Sequence, residues 1–273
     1  DNDNEMNSFT SVNSDSIVFG PYDNTDSWGT EDPRIAYNSD DNTYYMFYTA
    51  YNGSSIYLSL ATSPNPTDPN QWTRYGPVFP SIPGSKSGAL LIRHNDGKFN
   101  DIENNNNNNM DNNSSLLNYL FWGDSEIRVT TSSDLTKWSN EGNVIISTRS
   151  DYFDSQLVES GPPPLLLSNG DYIFFYNSAS LGWPNDINSA YHVGWVILDS
   201  IDPSIIKARS SEPLLSPYYT FEIGIDPYTC NAPNVVFLEA AKSLGNDQFQ
   251  VYFGGADAVI GTATISVTLP SKN

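Results

Sequence analysis

Carboxylates beside turns and aromatic rings are the residues of this chain best suited to chemistry. Cleaving a glycosidic bond needs one carboxyl group to protonate the leaving oxygen and a second to activate water or attack the sugar. Tryptophan and tyrosine faces can stack on the C–H surfaces of a pyranose ring, while carboxylates hydrogen-bond its hydroxyls. Glu31, Asp32, Glu159, Glu222, Asp226 and Asp257 all lie in such surroundings. The chain carries 32 Asp and Glu residues, so any one taken blindly is more often a turn cap or a solvated charge. Composition does not choose among them. Metal chemistry has little to draw on, because His94, His192 and the single Cys230 make no ligand cluster. No metal or organic cofactor is implied. Cys230 is expected to be buried and inert, and His192 to be packed rather than catalytic.

The elements that must position these groups are strands. Segments rich in β-branched and aromatic residues recur between turn clusters, from Tyr44–Tyr51 to Gly261–Val267. Ile56, Leu58 and Leu60 alternate with Tyr57, Ser59 and Ala61, the period of a strand with two unlike faces. No segment reads as a long amphipathic helix. A weak repeat is visible: Ile56 to Ser63 runs through a turn to Trp72, and Ile127 to Ser133 runs through a turn to Trp138. Strand, turn, Trp, strand, repeated at blade-like spacing, suggests a β-propeller. The run 100–115, with its six consecutive asparagines, cannot bury apolar surface and is expected to be a disordered loop. The 273 residues are expected to form a single propeller domain spanning 1–273.

Charge narrows the partners. A net charge of −20 and a pI near 4.1 repel nucleic-acid phosphates and anionic membranes, so neither is expected as a partner. No apolar run is long enough to cross a bilayer as a helix. The sequons at Asn52 and Asn112 lean toward a secreted or vesicle-lumen protein, with the cytoplasm left open. The oligomeric state is not legible.

Four stretches in order carry a resemblance to a known family. They are Gly29-Thr30-Glu31-Asp32-Pro33-Arg34-Ile35 leading to Tyr44–Ala50, and Ser160-Gly161-Pro162-Pro163-Pro164 leading to Tyr172–Tyr176. Then come Tyr191-His192-Val193-Gly194 through Asp202-Pro203 to Phe221-Glu222, and Pro233–Phe237 followed by Val251–Asp257. Together they make the chain similar to glycoside hydrolase family 130, which acts on β-mannosides as phosphorylases or hydrolases. The resemblance implies an all-β, five-bladed propeller acting on an oligosaccharide or glycan. It makes Asp32 the acid, protonating the glycosidic oxygen through a sugar hydroxyl. The alternative for Asp32 is a structural Asp-Pro turn. Arg34 would hold a sugar hydroxyl or orient carboxylates, Asp257 would bind mannose hydroxyls, and Trp28, Glu31 and Tyr191 would line the sugar site.

The second reactant depends on the anion site. Phosphate needs converging cations. Lys86 matches a family position for one, but Trp122-Gly123-Asp124 stands where phosphorylases carry an Arg, and Tyr176-Asn177-Ser178 where they carry Tyr-His-Gly. Asp124 and neutral Asn177 would weaken phosphate binding. Glu159 is therefore the first choice for a water-activating base and Glu222 the second, each with a structural alternative. The expected activity is inverting hydrolysis of β-mannosides, β-1,2-linked in the family's manner, with acid and base about 6.5–9.5 Å or more apart. The alternatives are a β-mannoside phosphorylase, a non-catalytic sugar-binding propeller, and a furanosidase of another five-bladed family. Only about thirty residues precede the Glu-Asp-Pro-Arg motif, so the first blade is expected to be incomplete.

Overall fold

In the computed structural model, residues 17–94, 116–138, 140–181, 189–225 and 230–269 are described. Asp226 and the asparagine-rich run lie outside them. Sixteen strands form four sheets. The first holds β1 (Gly29–Asn38), β2 (Thr43–Tyr51), β3 (Ile56–Ser63) and β4 (Thr73–Pro77) in that order. The second holds β5 (Ala89–Leu91), β6 (Asn118–Trp122), β7 (Glu126–Ser132) and β8 (Asn143–Ser147). The third orders β10 (Leu165–Leu166), β11 (Tyr172–Leu181), β12 (Ser189–Leu198) and β13 (Ile206–Arg209), with β9 (Leu157–Ser160) also paired to β11. The fourth holds β14 (Val236–Gly245), β15 (Gln248–Gly255) and β16 (Val259–Ser266). Apart from a single 3-10 turn, helix among the described residues is confined to α1 (Thr220–Ile223).

The sheets are antiparallel meanders arranged as the blades of a propeller, four among the described residues where five were expected. The physical reason is strand supply: the sixteen strands among the described residues make up four blades, one of them three-stranded. The sheet carrying Asp32 has all four of its strands.

Alternation builds the blade interfaces. Phe47, Leu58 and Leu60 of the first sheet pack with Phe79, Leu90, Leu120 and Trp122. Phe121, Ile127 and Ile146 pack with Phe174, Tyr176 and Val196, and Phe175 and Val193 with Leu238, Phe249, Val251 and Phe253. Most of these side chains are fully buried, each contributing about 1.5–3 kcal/mol of hydrophobic stabilisation. Trp72 and Trp138 occupy equivalent links, each just before the fourth strand of its sheet, so the sequence repeat is a structural one. Trp138 stacks edge-on against Phe47 of the neighbouring blade.

The innermost strands β1, β5, β9 and β14 carry the site. β1 touches both β5 and β14. The inner strand of the third sheet is interrupted by Gly161 and the three prolines that follow, which splits it into β9 and β10 on the same partner β11. Proline has no N–H to give a ladder, so the run breaks pairing there.

Candidate functional site

Asp32 sits where β1 departs from regular pairing. Glu31 opposes Thr49 and Arg34 opposes Phe47, so Asp32 and Pro33 together face one residue of β2. Asp32 has φ 48°, in the left-handed region that Asp tolerates better than most residues. A bulge of this kind turns a side chain off the alternating pattern. The Asp-Pro pair is thus both the turn and the device that aims the carboxylate.

Arg34 is fully buried and reaches across the axis. Its Nε donates to the Gly161 carbonyl at 3.3 Å, Nη1 to the Asp32 carbonyl at 2.8 Å and Nη2 to the Ser160 carbonyl at 3.0 Å. The guanidinium ties the Asp32 bulge to the end of β9. With its side chain shut off from solvent it orients its neighbours, the second of the two roles expected for it, and is in no position to hold a sugar hydroxyl.

Glu159 lies one residue before that contact and is 2% exposed. Its Oε1 accepts a short hydrogen bond from Ser87 Oγ and lies 3.3 Å from Lys86 Nζ and 4.0 Å from Arg34 Nη2. Burial pushes its carboxyl above the usual range, partly offset by Lys86, Arg34 and the Ser87 bond, while Asp32 adds to the rise. Lys86 is also 3.6 Å from Asp124 Oδ2. Burial alone would lower its ammonium, but Glu159, Asp124 and Asp32 outweigh that and hold it above its ordinary value.

The turn bearing Asp124 is fixed to the same strand, since Gly123 N donates to the Lys86 carbonyl at 3.0 Å. Gly123 has φ +117°, and a Cβ there would stand 2.2 Å from the Glu126 carbonyl oxygen, so glycine is required. Asp257, at φ 51° in the loop after β15, is raised by burial and by the charge of Asp32. Tyr191 is raised by burial and then by Glu159. Asp32, Lys86, Asp124, Glu159, Tyr191 and Asp257 are therefore one electrostatically coupled group.

Other expected residues lie elsewhere. Glu222 is buried and accepts the backbone N–H groups of Tyr218 and Tyr219 on Oε2, at 2.7 and 2.8 Å, closing the N-terminal end of α1. Trp122 packs on Phe79 and donates its indole N–H to the Glu141 carbonyl at 3.0 Å. Asn177 is fully buried, donating to the Leu238 carbonyl at 3.1 Å and accepting from the Leu238 N–H at 2.7 Å. It clamps the third blade to the fourth. Trp28 is 73% exposed, edge-on to Tyr51, and Glu31 is exposed. His192 is packed, as expected, between the hydroxyls of Ser180 and Ser216. Cys230 is exposed, against expectation, although its side chain lies against Gly224 at the α1 C-terminus.

Two members of the site were not foreseen. Ser87, at φ 59°, is adjacent to Lys86 and holds Glu159. Glu239 lies 3.3 Å from Arg34 Nη2. It is the extra residue of a bulge in β14, where Leu238 opposes Phe253 and Ala240 opposes Tyr252. The first part of the fourth stretch that pointed to the site ends at Phe237, two residues short of it. No group of three or more His, Cys, Asp or Glu among the described residues could hold a metal ion.

Comparison with known proteins agrees with this arrangement. The family model for glycoside hydrolase family 130, described as beta-1,4-mannooligosaccharide phosphorylase, matches residues 4–269. A 1,2-beta-oligomannan phosphorylase from Thermoanaerobacter sp. (strain X514) is 30% identical over 88% of this chain and 69% of its own length. A beta-1,2-mannobiose phosphorylase from the same strain is 30% identical over 88% of this chain and 68% of its own. One solved structure comes from work describing glycoside hydrolases, within this family of mannoside phosphorylases, that target beta-1,2 mannosidic linkages in Candida mannan. It is 28% identical with a TM-score of 0.71, covering 93% of this chain and 71% of its own. With the Asp32 motif, the axial carboxylates and a match over nearly the whole length in agreement, the chain belongs to glycoside hydrolase family 130.

Proposed function

We propose that this chain is a carbohydrate-active enzyme that cleaves β-mannosides, β-1,2-linked, and that water takes the released mannosyl group with inversion. The observation that carries the choice of water is the position of Lys86, held between the carboxylates of Glu159 and Asp124. A phosphate dianion would meet Asp32, Asp124, Glu159 and Asp257 there, with Lys86 already engaged and Arg34 buried behind the Asp32 and Ser160 carbonyls. Like charges at such separations cost several kcal/mol where water is excluded, so the pocket disfavours an anion.

Each residue then has a task. Asp32, aimed by its bulge, delivers a proton to the glycosidic oxygen through a hydroxyl of the bound mannose. Glu159 takes a proton from the attacking water on the opposite side of the ring. Its burial makes the ionised form a stronger base, and Lys86 opposes that rise. Ser87 and Lys86 fix the carboxylate's orientation. Tyr191 and Asp257 hold sugar hydroxyls. Arg34 keeps the Asp32 bulge and the Glu159 strand in register.

The named relatives favour a second reading, phosphorolysis, over hydrolysis: two at 30% identity are phosphorylases. In that reaction Lys86 is the phosphate cation, and Glu159, protonated by its burial, donates a hydrogen bond to the anion. Incubating the protein with β-1,2-mannobiose, with and without inorganic phosphate, decides between them. Mannose formed at equal rates in both supports hydrolysis; mannose 1-phosphate formed only with phosphate overturns it. Binding of the disaccharide with neither product identifies a non-catalytic sugar-binding propeller.

A further inference from the structure

Glu239 contributes a third carboxylate to the axis that the proposed mechanism does not use. Both its oxygens are buried, and neither accepts a hydrogen bond among the described residues. Its one close charged partner is Arg34, at 3.3 Å from Nη2. The same Nη2 lies 4.0 Å from Glu159 and donates to the Ser160 carbonyl. Two carboxylates from neighbouring blades therefore share one guanidinium nitrogen. The stem of Glu239 lines a cavity of about 390 Å³ at the axis, walled by Ile35, Leu90, Pro163 and Ala240. With no hydrogen bond to either oxygen and Arg34 the charged group beside it, its ionisation depends on that guanidinium.

We infer that Glu239 is a positioning residue that governs the charge on Glu159 by competing with it for Arg34. The inference rests on Glu159 being the base. The groups that act on Glu239 are Arg34 and Asp32 from β1, Lys86 ahead of β5 and Glu159 from β9; His94, paired with Asp40, lines the same cavity. Burial lifts Glu239 to about 7, with Arg34 opposing and Asp32 and Glu159 adding to the rise. Glu159 is lifted as well, by its burial first and against Arg34, so two carboxyls that share Arg34 titrate as a pair rather than independently. When Glu239 ionises first it draws on Arg34 and holds Glu159 neutral. When Glu239 keeps its proton, Arg34 favours the ionised, reactive Glu159.

The consequence is a pH profile of unusual shape. The acid limb of kcat/KM on β-1,2-mannobiose should rise over two overlapping steps, more shallowly than a single proton. Glu239→Gln removes the competitor and should collapse the limb into one single-proton step about 0.5–1 pH unit lower. Glu239→Asp, which keeps the charge, should retain a two-step limb. A Glu239→Gln profile that superimposes on the parent, or a uniform loss of kcat with unchanged shape, overturns the inference. Titrating the ¹³C carboxyl resonance of Glu159 in the parent and in Glu239→Gln reads the coupling without activity; a Glu159 titration indifferent to the change overturns it too. Glu159→Gln, assayed in parallel, separates the two claims. Its full activity sinks the base assignment, whereas the carboxyl titration still tests the coupling.

Discussion

Lys86 Nζ stands 3.3 Å from Glu159 Oε1, and both groups hold their protons more tightly than their free counterparts. An exposed pair would favour an ionised carboxylate. Here burial of Glu159 outweighs the ammonium, so the pair is a cation beside a reluctant anion. Replacing Lys86 with Met leaves Glu159 with less to oppose its burial. The acid limb of the pH–rate profile should then move to higher pH, with kcat falling most below neutrality. A limb that stays in place means Lys86 does not act on the base.

Asp32→Asn should lower kcat on β-1,2-mannobiose by about 10²–10⁴, the usual worth of a positioned acid. Asn accepts the left-handed backbone at this position about as well as Asp, so thermal stability should hold. A variant with near-parental kcat would mean that Asp32 is a structural turn residue.

Glu159→Gln and Glu222→Gln make a contrasting pair. The first should lose about 10²–10⁴ in kcat. The second loses charge at an acceptor of two backbone N–H groups and should cost about 1–2 kcal/mol of stability, with kcat per folded molecule retained. Denaturant unfolding beside steady-state assay reads both; the reverse pattern would exchange their assignments.

The sequence disclosed the site where a motif and its aim coincide. Asp32, Lys86, Asp124, Glu159, Tyr191 and Asp257 fall at positions the family resemblance singled out, so their convergence was legible. Asn177 and Trp122 lie in equally promising stretches, but strand register decides which way a side chain points. Their polar atoms are taken up by Leu238 and by the Glu141 carbonyl. Glu239 was invisible for a related reason. In Val236-Phe237-Leu238-Glu239-Ala240 the acid lies where a bulge breaks alternation, and a bulge leaves no signature of composition. The number of blades was read through resemblance, whereas the strands themselves supply four.

Asn177 bonds both backbone groups of Leu238, copying a ladder pair between blades whose shared core is apolar. Asn177→Leu fills similar volume but strands a buried N–H and a buried C=O. The loss should be about 2–4 kcal/mol, seen as a lower urea midpoint. A change below about 0.5 kcal/mol would show that the clamp is dispensable.

The last prediction concerns stability rather than rate. Glu239 in the folded chain is raised from 4.5 to about 7, so the fold favours its protonated form. The stability this contributes is fully present below about pH 4.3, where the unfolded chain also protonates it. It is lost as pH climbs toward 7, where the carboxylate must ionise among Asp32 and Glu159 with Arg34 already shared. Glu239→Gln escapes that loss. Its unfolding free energy relative to the parent should therefore increase between about pH 4.5 and 7.5, by on the order of 2–3 kcal/mol. A parent–variant difference that is flat across this interval would mean that Glu239 ionises as freely as an exposed glutamate.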